Sequence, residues 1–211
     1  MTDCVSLQGH LPLIAIIRGV TPDLVLEVAD VLVEEGFTMI EVPLNSPDAL
    51  TSIAKLVAKY GDKYIIGAGT VTTPELAEQV IATGANLIVT PNFNEQVVKM
   101  SVAAGCATFP GVVTPTEAFA ALAAGATGLK LFPISMVGLD GFKALKSVLP
   151  ADTKCYPVGG VSPSIESMKP YIEIGADGFG LGSALYKPSM TLEQVRANAR
   201  GYVTSFKQLV S

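Results

Sequence analysis

Two charged residues, Lys130 and Glu41, stand inside otherwise apolar stretches. The Leu and Phe residues around Lys130 predict a short buried strand that stops at Pro133. Buried lysines are rare unless paired or functional, and desolvation favours the neutral amine, which can attack a carbonyl and form a Schiff base. A nearby Glu41 carboxylate could transfer protons. Two structural alternatives stay open: Lys130 extends its amine to solvent, or the two residues form an ion pair without a catalytic role.

Other candidate binding residues come after apolar stretches. Arg18 comes after the first stretch, and its guanidinium could bind the carboxylate of an α-keto acid such as pyruvate, or form a surface ion pair. Thr70 closes the third stretch. Gly159-Gly160 and Gly182-Ser183 come after the last two, where backbone amides of a barrel often bind phosphate. The alternative is that these glycines only allow tight turns.

An apolar strand, a polar turn and an amphipathic helix recur eight times. The predicted strands are 13–17, 38–44, 64–69, 86–90, 106–109, 127–132, 154–158 and 177–181. The predicted helices are 21–35, 46–60, 73–84, 94–104, 114–125, 139–148, 162–174 and 191–209. This alternation predicts a (β/α)8 TIM barrel that forms a single domain over residues 1–211, with a doubly wound open sheet as the alternative. In a barrel, Glu41 and Lys130 would both point inward from even-numbered strands.

The composition argues against several classes of protein. The net charge of −5 and the pI of about 4.9 do not suggest a nucleic-acid partner. No signal peptide is recognisable from residue 1 onward, the apolar runs are too short for a membrane span, and the three cysteines are widely spaced, which together favour a reduced, cytoplasmic protein. The single histidine, His10, is expected at the surface, so histidine-based triads and zinc sites are disfavoured and we expect no metal.

Seven segments, taken in order, resemble the KDPG/KDPGal aldolase family. They are residues 16–18, 41–47, 67–71, 110–111, 129–133, 159–161 and 182–183. The resemblance implies a class I pyruvate aldolase on a trimeric (β/α)8 barrel, with a phosphorylated keto-deoxy sugar acid as substrate and a covalent lysine imine in place of a cofactor. It implies Lys130 as the imine-forming residue, Glu41 as general acid/base, Arg18 and Thr70 at the pyruvate carboxylate, and Gly159, Gly160, Gly182 and Ser183 at the phosphate.

Details of two segments favour one branch of the family. Some members have a carboxylate-binding Arg where this sequence has Asn45, so the resemblance leaves that role to Arg18. Val158 replaces the Thr typical of the gluconate enzymes, and offers a methyl where Thr offers one substrate epimer a hydroxyl. Val158 and the run after Glu41 look like the 2-dehydro-3-deoxy-6-phosphogalactonate branch. A gluconate-epimer or hydroxy-keto-glutarate aldolase, and a non-catalytic phosphosugar-binding barrel, are the alternatives.

Overall fold

Strands and helices alternate along the chain in a computed structural model that describes residues 5–211. Residues 1–4, on which the signal-peptide prediction partly rests, lie outside the described residues. The strands are β1 Leu13–Ile16, β2 Met39–Pro43, β3 Ile65–Gly69, β4 Leu87–Val89, β5 Ala107–Phe109, β6 Gly111–Val112, β7 Leu129–Leu131, β8 Cys155–Pro157 and β9 Phe179–Leu181. The helices are α1 Val25–Glu34, α2 Ala49–Tyr60, α3 Pro74–Ala82, α4 Glu95–Ala103, α5 Pro115–Ala123, α6 Ile134–Val148, α7 Ile165–Ile174 and α8 Leu192–Val210.

All strand pairings are parallel, and they form two sheets. The larger sheet has the order β5-β4-β3-β2-β1-β9, and the smaller has the order β6-β7-β8. Only Pro110 separates β5 from β6, and a single parallel bridge joins Val158, just after β8, to Gly180 in β9. The predicted α/β class and the strand–helix alternation are therefore confirmed, and the fifth predicted strand continues past Pro110 as β6.

The predicted Thr-Pro helix starts are correct at α3 and α5. Thr73 accepts a hydrogen bond from Leu76 N, and Thr114 forms a capping box with Glu117. These side chains satisfy backbone N–H groups that the first helical turn leaves without a partner. Each helix then continues directly from a Pro at its first position, where the missing N–H costs nothing.

Three predicted helix starts were wrong. α1 begins at Val25 rather than at residue 21, because a turn intervenes and Leu24, at the N-cap, makes no side-chain cap. α2 begins at Ala49 rather than at residue 46, because Ser46 binds the loop after β1 instead of capping the helix. α7 begins at Ile165 rather than at residue 162, with Ser164 as its N-cap. In α6, the non-helical backbone of Gly138 separates one preceding turn from the helix over residues 139–148, so the predicted start near residue 139 is correct and only the preceding turn was missed.

The strands are buried on both faces, and their residues alternate between two clusters. Leu13 and Ala15 of β1 pack in the large cluster shared with the helices. Ile14 belongs to a smaller cluster on the other face, which consists of Ile14, Met39, Ile65, Leu87, Val89, Ala107, Phe109 and Tyr156. We call this second face the inner face. Because side chains alternate along a strand, each strand residue points either toward the helices or toward the inner face.

Within residues 5–211, no helix is long and apolar enough to cross a membrane.

Candidate active site

Glu41 and Lys130 lie on the inner face, as their neighbours in sequence show. Ile40 and Val42 flank Glu41 in β2 and pack against the helices, as Leu129 and Leu131 do on either side of Lys130 in β7. The period of two along a strand therefore turns both charged side chains away from the helices. The predicted inward orientation of the two residues agrees with this arrangement.

Both side chains are removed from solvent. Glu41 is 1% exposed and Lys130 is 6% exposed, and they are the only charged residues among the buried ones in the described part of the chain. The Lys130 amine lies 4.5 Å from the centroid of the Phe132 ring, so one of its neighbours is an aromatic face. The alternative in which Lys130 extends its amine into solvent is therefore wrong.

Burial moves both groups toward their neutral forms. It raises the pKa of the Glu41 carboxyl to about 7, and attraction to Lys130 and Arg18 offsets part of the rise. Burial also lowers the pKa of the Lys130 ammonium, which Glu41 opposes and Arg18 reinforces. An amine that deprotonates readily beside a carboxyl that titrates near neutrality suits nucleophilic attack followed by proton transfer.

The Glu41 carboxylate occupies space that β3 leaves open. Gly69 pairs with Pro43 across the two strands, and a Cβ at position 69 would overlap both carboxylate oxygens of Glu41. Oε2 of Glu41 is buried and has no hydrogen-bond partner among residues 5–211. A buried acceptor without a partner is costly, which argues against a purely structural role for this carboxyl group.

Thr70 has a backbone conformation that is rare for its residue type. Its φ is +61°, in the left-handed region, directly after β3 and Gly69. A β-branched residue is strained there, and such strain concentrates at functional sites. The backbone therefore marks Thr70 as unusual independently of the family resemblance.

A cavity of about 480 Å³ opens beside Lys130. Seven of the nine predicted site residues line it: Arg18, Lys130, Val158, Gly159, Gly160, Gly182 and Ser183. Glu41 and Thr70 are not among the lining residues. Glu41 nevertheless interacts electrostatically with Lys130 and Arg18, which both line the cavity. The cavity falls in the size range of small-molecule sites.

The predicted phosphate-binding loops both line this cavity. Gly159 and Gly160 both have left-handed φ values, +100° and +73°, which side chains rarely adopt. Within residues 5–211, the N–H groups of Gly159, Gly160, Gly182 and Ser183 donate no backbone hydrogen bond. Unpaired N–H groups at the edge of a cavity can bind an anion.

Val158 lines the cavity directly before the first glycine loop. It is 5% exposed, its carbonyl accepts a hydrogen bond from Ile134 N, and its N–H donates to Leu131 O. A Cβ at Gly180 would lie 2.6 Å from a Val158 methyl carbon, so a larger residue at position 180 would force the Val158 side chain to shift. The branch-determining residue proposed from sequence therefore lies at the cavity wall.

Several residues that line the cavity were not predicted from the sequence, and the exposure predicted for His10 differs from that in the structure. Ile16, Phe132, Ser162, Tyr186 and Lys187 also line the cavity. Most of these residues lie at or just beyond the end of a strand, and this position in the sequence could have identified them. Lys187, for example, follows Gly182-Ser183 by about one helical turn. His10, which was expected at the surface, is half-buried, and its buried Nδ1 has no hydrogen-bond partner within the described residues.

A parallel α/β fold, a buried lysine that lines a cavity and a buried carboxyl on the same inner face together define an enzyme-like site built around an amine. The chain belongs to the KDPG and KHG aldolase family, whose sequence pattern matches residues 6–198. The family resemblance drawn from the seven segments is thereby confirmed.

Individual relatives match over nearly their full length. The chain is 45% identical to the 2-dehydro-3-deoxy-6-phosphogalactonate aldolase of Escherichia coli (strain K12), over 96% of this chain and 98% of the relative. It is 47% identical to a probable 2-dehydro-3-deoxy-6-phosphogalactonate aldolase of Rhizobium meliloti (strain 1021), over 89% and 88%. A solved structure described as native KDPGal superposes with a TM-score of 0.93 at 45% identity, over 96% of this chain and 98% of that chain.

Proposed function

We propose that this protein is a class I aldolase that cleaves 2-dehydro-3-deoxy-6-phospho-D-galactonate to pyruvate and D-glyceraldehyde 3-phosphate. The observation that carries the proposal is the buried Lys130 amine, which shares the inner face with the Glu41 carboxyl and lines the cavity. Membership of the aldolase family and the names of the two relatives agree with it.

In the first stage, Lys130 forms the covalent intermediate. The neutral Nζ attacks the C2 ketone to give a carbinolamine, and loss of water leaves a protonated imine. The C3–C4 bond then breaks, and its electron pair moves onto C3 and the imine nitrogen as an enamine. The protonated imine accepts this electron pair, so the lysine imine serves in place of a cofactor.

Glu41 transfers the protons that the remaining steps require. Its carboxylate accepts the C4 hydroxyl proton as the aldehyde leaves, and it returns a proton to C3 of the enamine. Water then hydrolyses the pyruvate imine and regenerates the Lys130 amine. A carboxyl with a pKa of about 7 can act in both directions near neutral pH.

The charges of the substrate match opposite parts of the site. Arg18 can form a charge-assisted hydrogen bond with the C1 carboxylate, and Thr70 contributes beside it. The C6 phosphate fits the N–H groups of Gly159, Gly160, Gly182 and Ser183. This arrangement would place C2 at Lys130 between the two anionic ends.

The galactonate epimer is favoured by Val158 and by the relatives. Val158 offers no hydrogen bond at the cavity wall, and both relatives are named for the galactonate substrate. We expect Val158→Thr to shift the ratio of kcat/KM for the galactonate and gluconate epimers toward gluconate by roughly 10-fold. Direct competition of the two epimers measures this ratio, and an unchanged ratio would remove Val158 from the selectivity.

The proposal extends to architecture and setting. One (β/α)8 barrel in a single domain over residues 1–211 is supported by the continuity of β5 and β6 across Pro110 and by the Val158–Gly180 bridge. A homotrimer rests on the family resemblance. A cytoplasmic setting rests on the sequence, and Cys106 and Cys155 are both free thiols.

The test is to incubate the protein with pyruvate and sodium borohydride, measure its intact mass and map the modified peptide. We expect one reduced pyruvate adduct, located at Lys130. An adduct at a different lysine would contradict the assigned nucleophile. Folded protein that forms no adduct at all would return the chain to the phosphosugar-binding alternative.

A further inference from the structure

Arg18 is held by a residue that does not itself line the cavity. Arg18 Nη1 donates a hydrogen bond of 2.5 Å to Asn45 Oδ1. Arg18 lines the cavity, whereas Asn45 stands outside its lining. β1 and β2 are neighbours in the sheet, with Ile16 opposite Glu41, so the loops after these two strands lie side by side.

A second contact joins the same two loops. The Gly19 N–H donates to Ser46 Oγ at 2.8 Å, and Ser46 is buried. Gly19 is left-handed, and a Cβ there would lie 2.8 Å from the Pro188 ring in the loop after β9. Residues 18–19 are thus tied to residues 45–46 and covered by Pro188, so the base of the Arg18 side chain has little freedom.

The partner of Arg18 is neutral, unlike those of the other two arginines. Arg196 pairs with Glu34 and Glu35, and Arg200 pairs with Glu35. A carboxylate partner would orient the guanidinium but would also neutralise its charge toward a ligand. The Asn45 amide orients the group and leaves its positive charge and its other N–H donors available.

We propose that Asn45 is a positioning residue that holds the Arg18 guanidinium toward the cavity and thereby sets the affinity for the anionic substrate. This inference rests on the proposed function and assigns to Asn45 a part in it. An exposed arginine loses side-chain freedom when it binds a ligand, so one that is already restrained binds at a lower entropic cost.

The test is a double-mutant cycle of Asn45→Ala, Arg18→Ala and the combined variant, assayed for cleavage of 2-dehydro-3-deoxy-6-phosphogalactonate. We expect Asn45→Ala to raise KM roughly 10-fold with kcat changed less than about twofold, because ground-state binding is affected. In the Arg18→Ala background the same substitution should change KM by less than about twofold. Arg196→Ala, which removes an arginine from a surface ion pair, is the matched control and should leave KM unchanged.

Asn45→Asp separates positioning from simple support of the loop. Asp can accept the same hydrogen bond, so a structural role alone would leave KM at the wild-type value. We expect KM to rise at least roughly 10-fold, because the carboxylate cancels the charge of Arg18. A wild-type KM in the Asn45→Asp variant would overturn the inference. So would an Asn45→Ala substitution that raises KM as much in the Arg18→Ala background as in the wild type. Borohydride trapping at saturating pyruvate tests the proposed function separately, since it reports on Lys130.

Discussion

Two lysine–carboxylate clusters in this protein use similar groups in opposite ways. Lys130 and Glu41 lie buried on the inner face, and in the described part of the chain Glu41 Oε2 has no hydrogen-bond partner. The second cluster precedes β8 and β9, where Asp177 lies 3.1 Å from Lys154 and 3.7 Å from Lys146. Its side chains are partly exposed, and Asp177 also accepts a hydrogen bond from Cys155 N at 2.9 Å.

The difference shows how a structural cluster can be told from a reactive one. Each oxygen of Asp177 accepts a hydrogen bond, one from Lys154 Nζ and one from Cys155 N, and the Lys146 amine donates its own hydrogen bond to Thr153 O. Around Glu41 the cost of burial is only partly offset, so the proton affinities of both groups shift. The candidate catalytic pair is distinguished less by its charge than by buried polar groups whose hydrogen-bonding capacity is not fully satisfied.

Removal of the lysine from each cluster should separate the two most strongly. We expect Lys130→Ala to lower kcat by on the order of 10⁴-fold or more, because no covalent intermediate can form. Lys146→Ala, the matched variant from the other cluster, should change kcat less than about twofold. Steady-state assays of both purified variants measure kcat, and comparable losses of kcat in the two would contradict the difference drawn between the clusters.

Neutralising the carboxylates comes next in size. We expect Glu41→Gln to lower kcat by roughly 10²–10⁴-fold while borohydride still traps pyruvate on Lys130, since only proton transfer is removed. Asp177→Asn should retain nearly wild-type turnover. Retention of full activity by Glu41→Gln would mean that another group carries the proton.

The pH dependence of stability should also distinguish Glu41. Its folded pKa of about 7 lies above the ordinary value of 4.5, so its contribution to stability is present below pH 4.5 and is lost as the pH rises through 7. We expect wild type to lose up to about 3 kcal/mol relative to Glu41→Gln between these limits. Urea titrations across that range measure the difference, and parallel stability curves for the two proteins would show that Glu41 titrates normally.

The smallest effect is expected for the structural cluster. Asp177→Ala leaves the N–H of the fully buried Cys155 without its acceptor. We expect the free energy of unfolding to fall by about 2 kcal/mol, with kcat changed less than about twofold. Denaturant titration and a turnover assay on one preparation suffice. A loss of turnover without a loss of stability would give Asp177 a role that its hydrogen bonds do not suggest.

Sequence alone predicts the strands well because their apolar runs are short and glycine-bounded. It also singles out Glu41 and Lys130, since a charge within a buried strand is conspicuous. The start of α2 could not be read correctly, because Ser46 is a good N-cap residue that instead bonds a distant loop. The Arg18–Asn45 contact spans 27 residues, and no local pattern encodes it.

The left-handed φ of Thr70 and the half-burial of His10 were equally hidden from sequence. A backbone angle of this kind is imposed by surrounding packing rather than by the preference of the residue itself. Cavity residues such as Lys187 depend on how loops from separate strands converge, which a linear pattern does not specify.

The absence of a side chain at Gly69 has a consequence for how this protein can change. Because a methyl group there would overlap the Glu41 carboxylate, an alanine at position 69 would have to displace that carboxylate from its present place. In a mutant library that randomises the cavity and allows alanine at position 69, we expect the members with this alanine to lose activity even when every residue that contacts a ligand is unchanged. The present position of the Glu41 carboxylate therefore requires glycine at position 69.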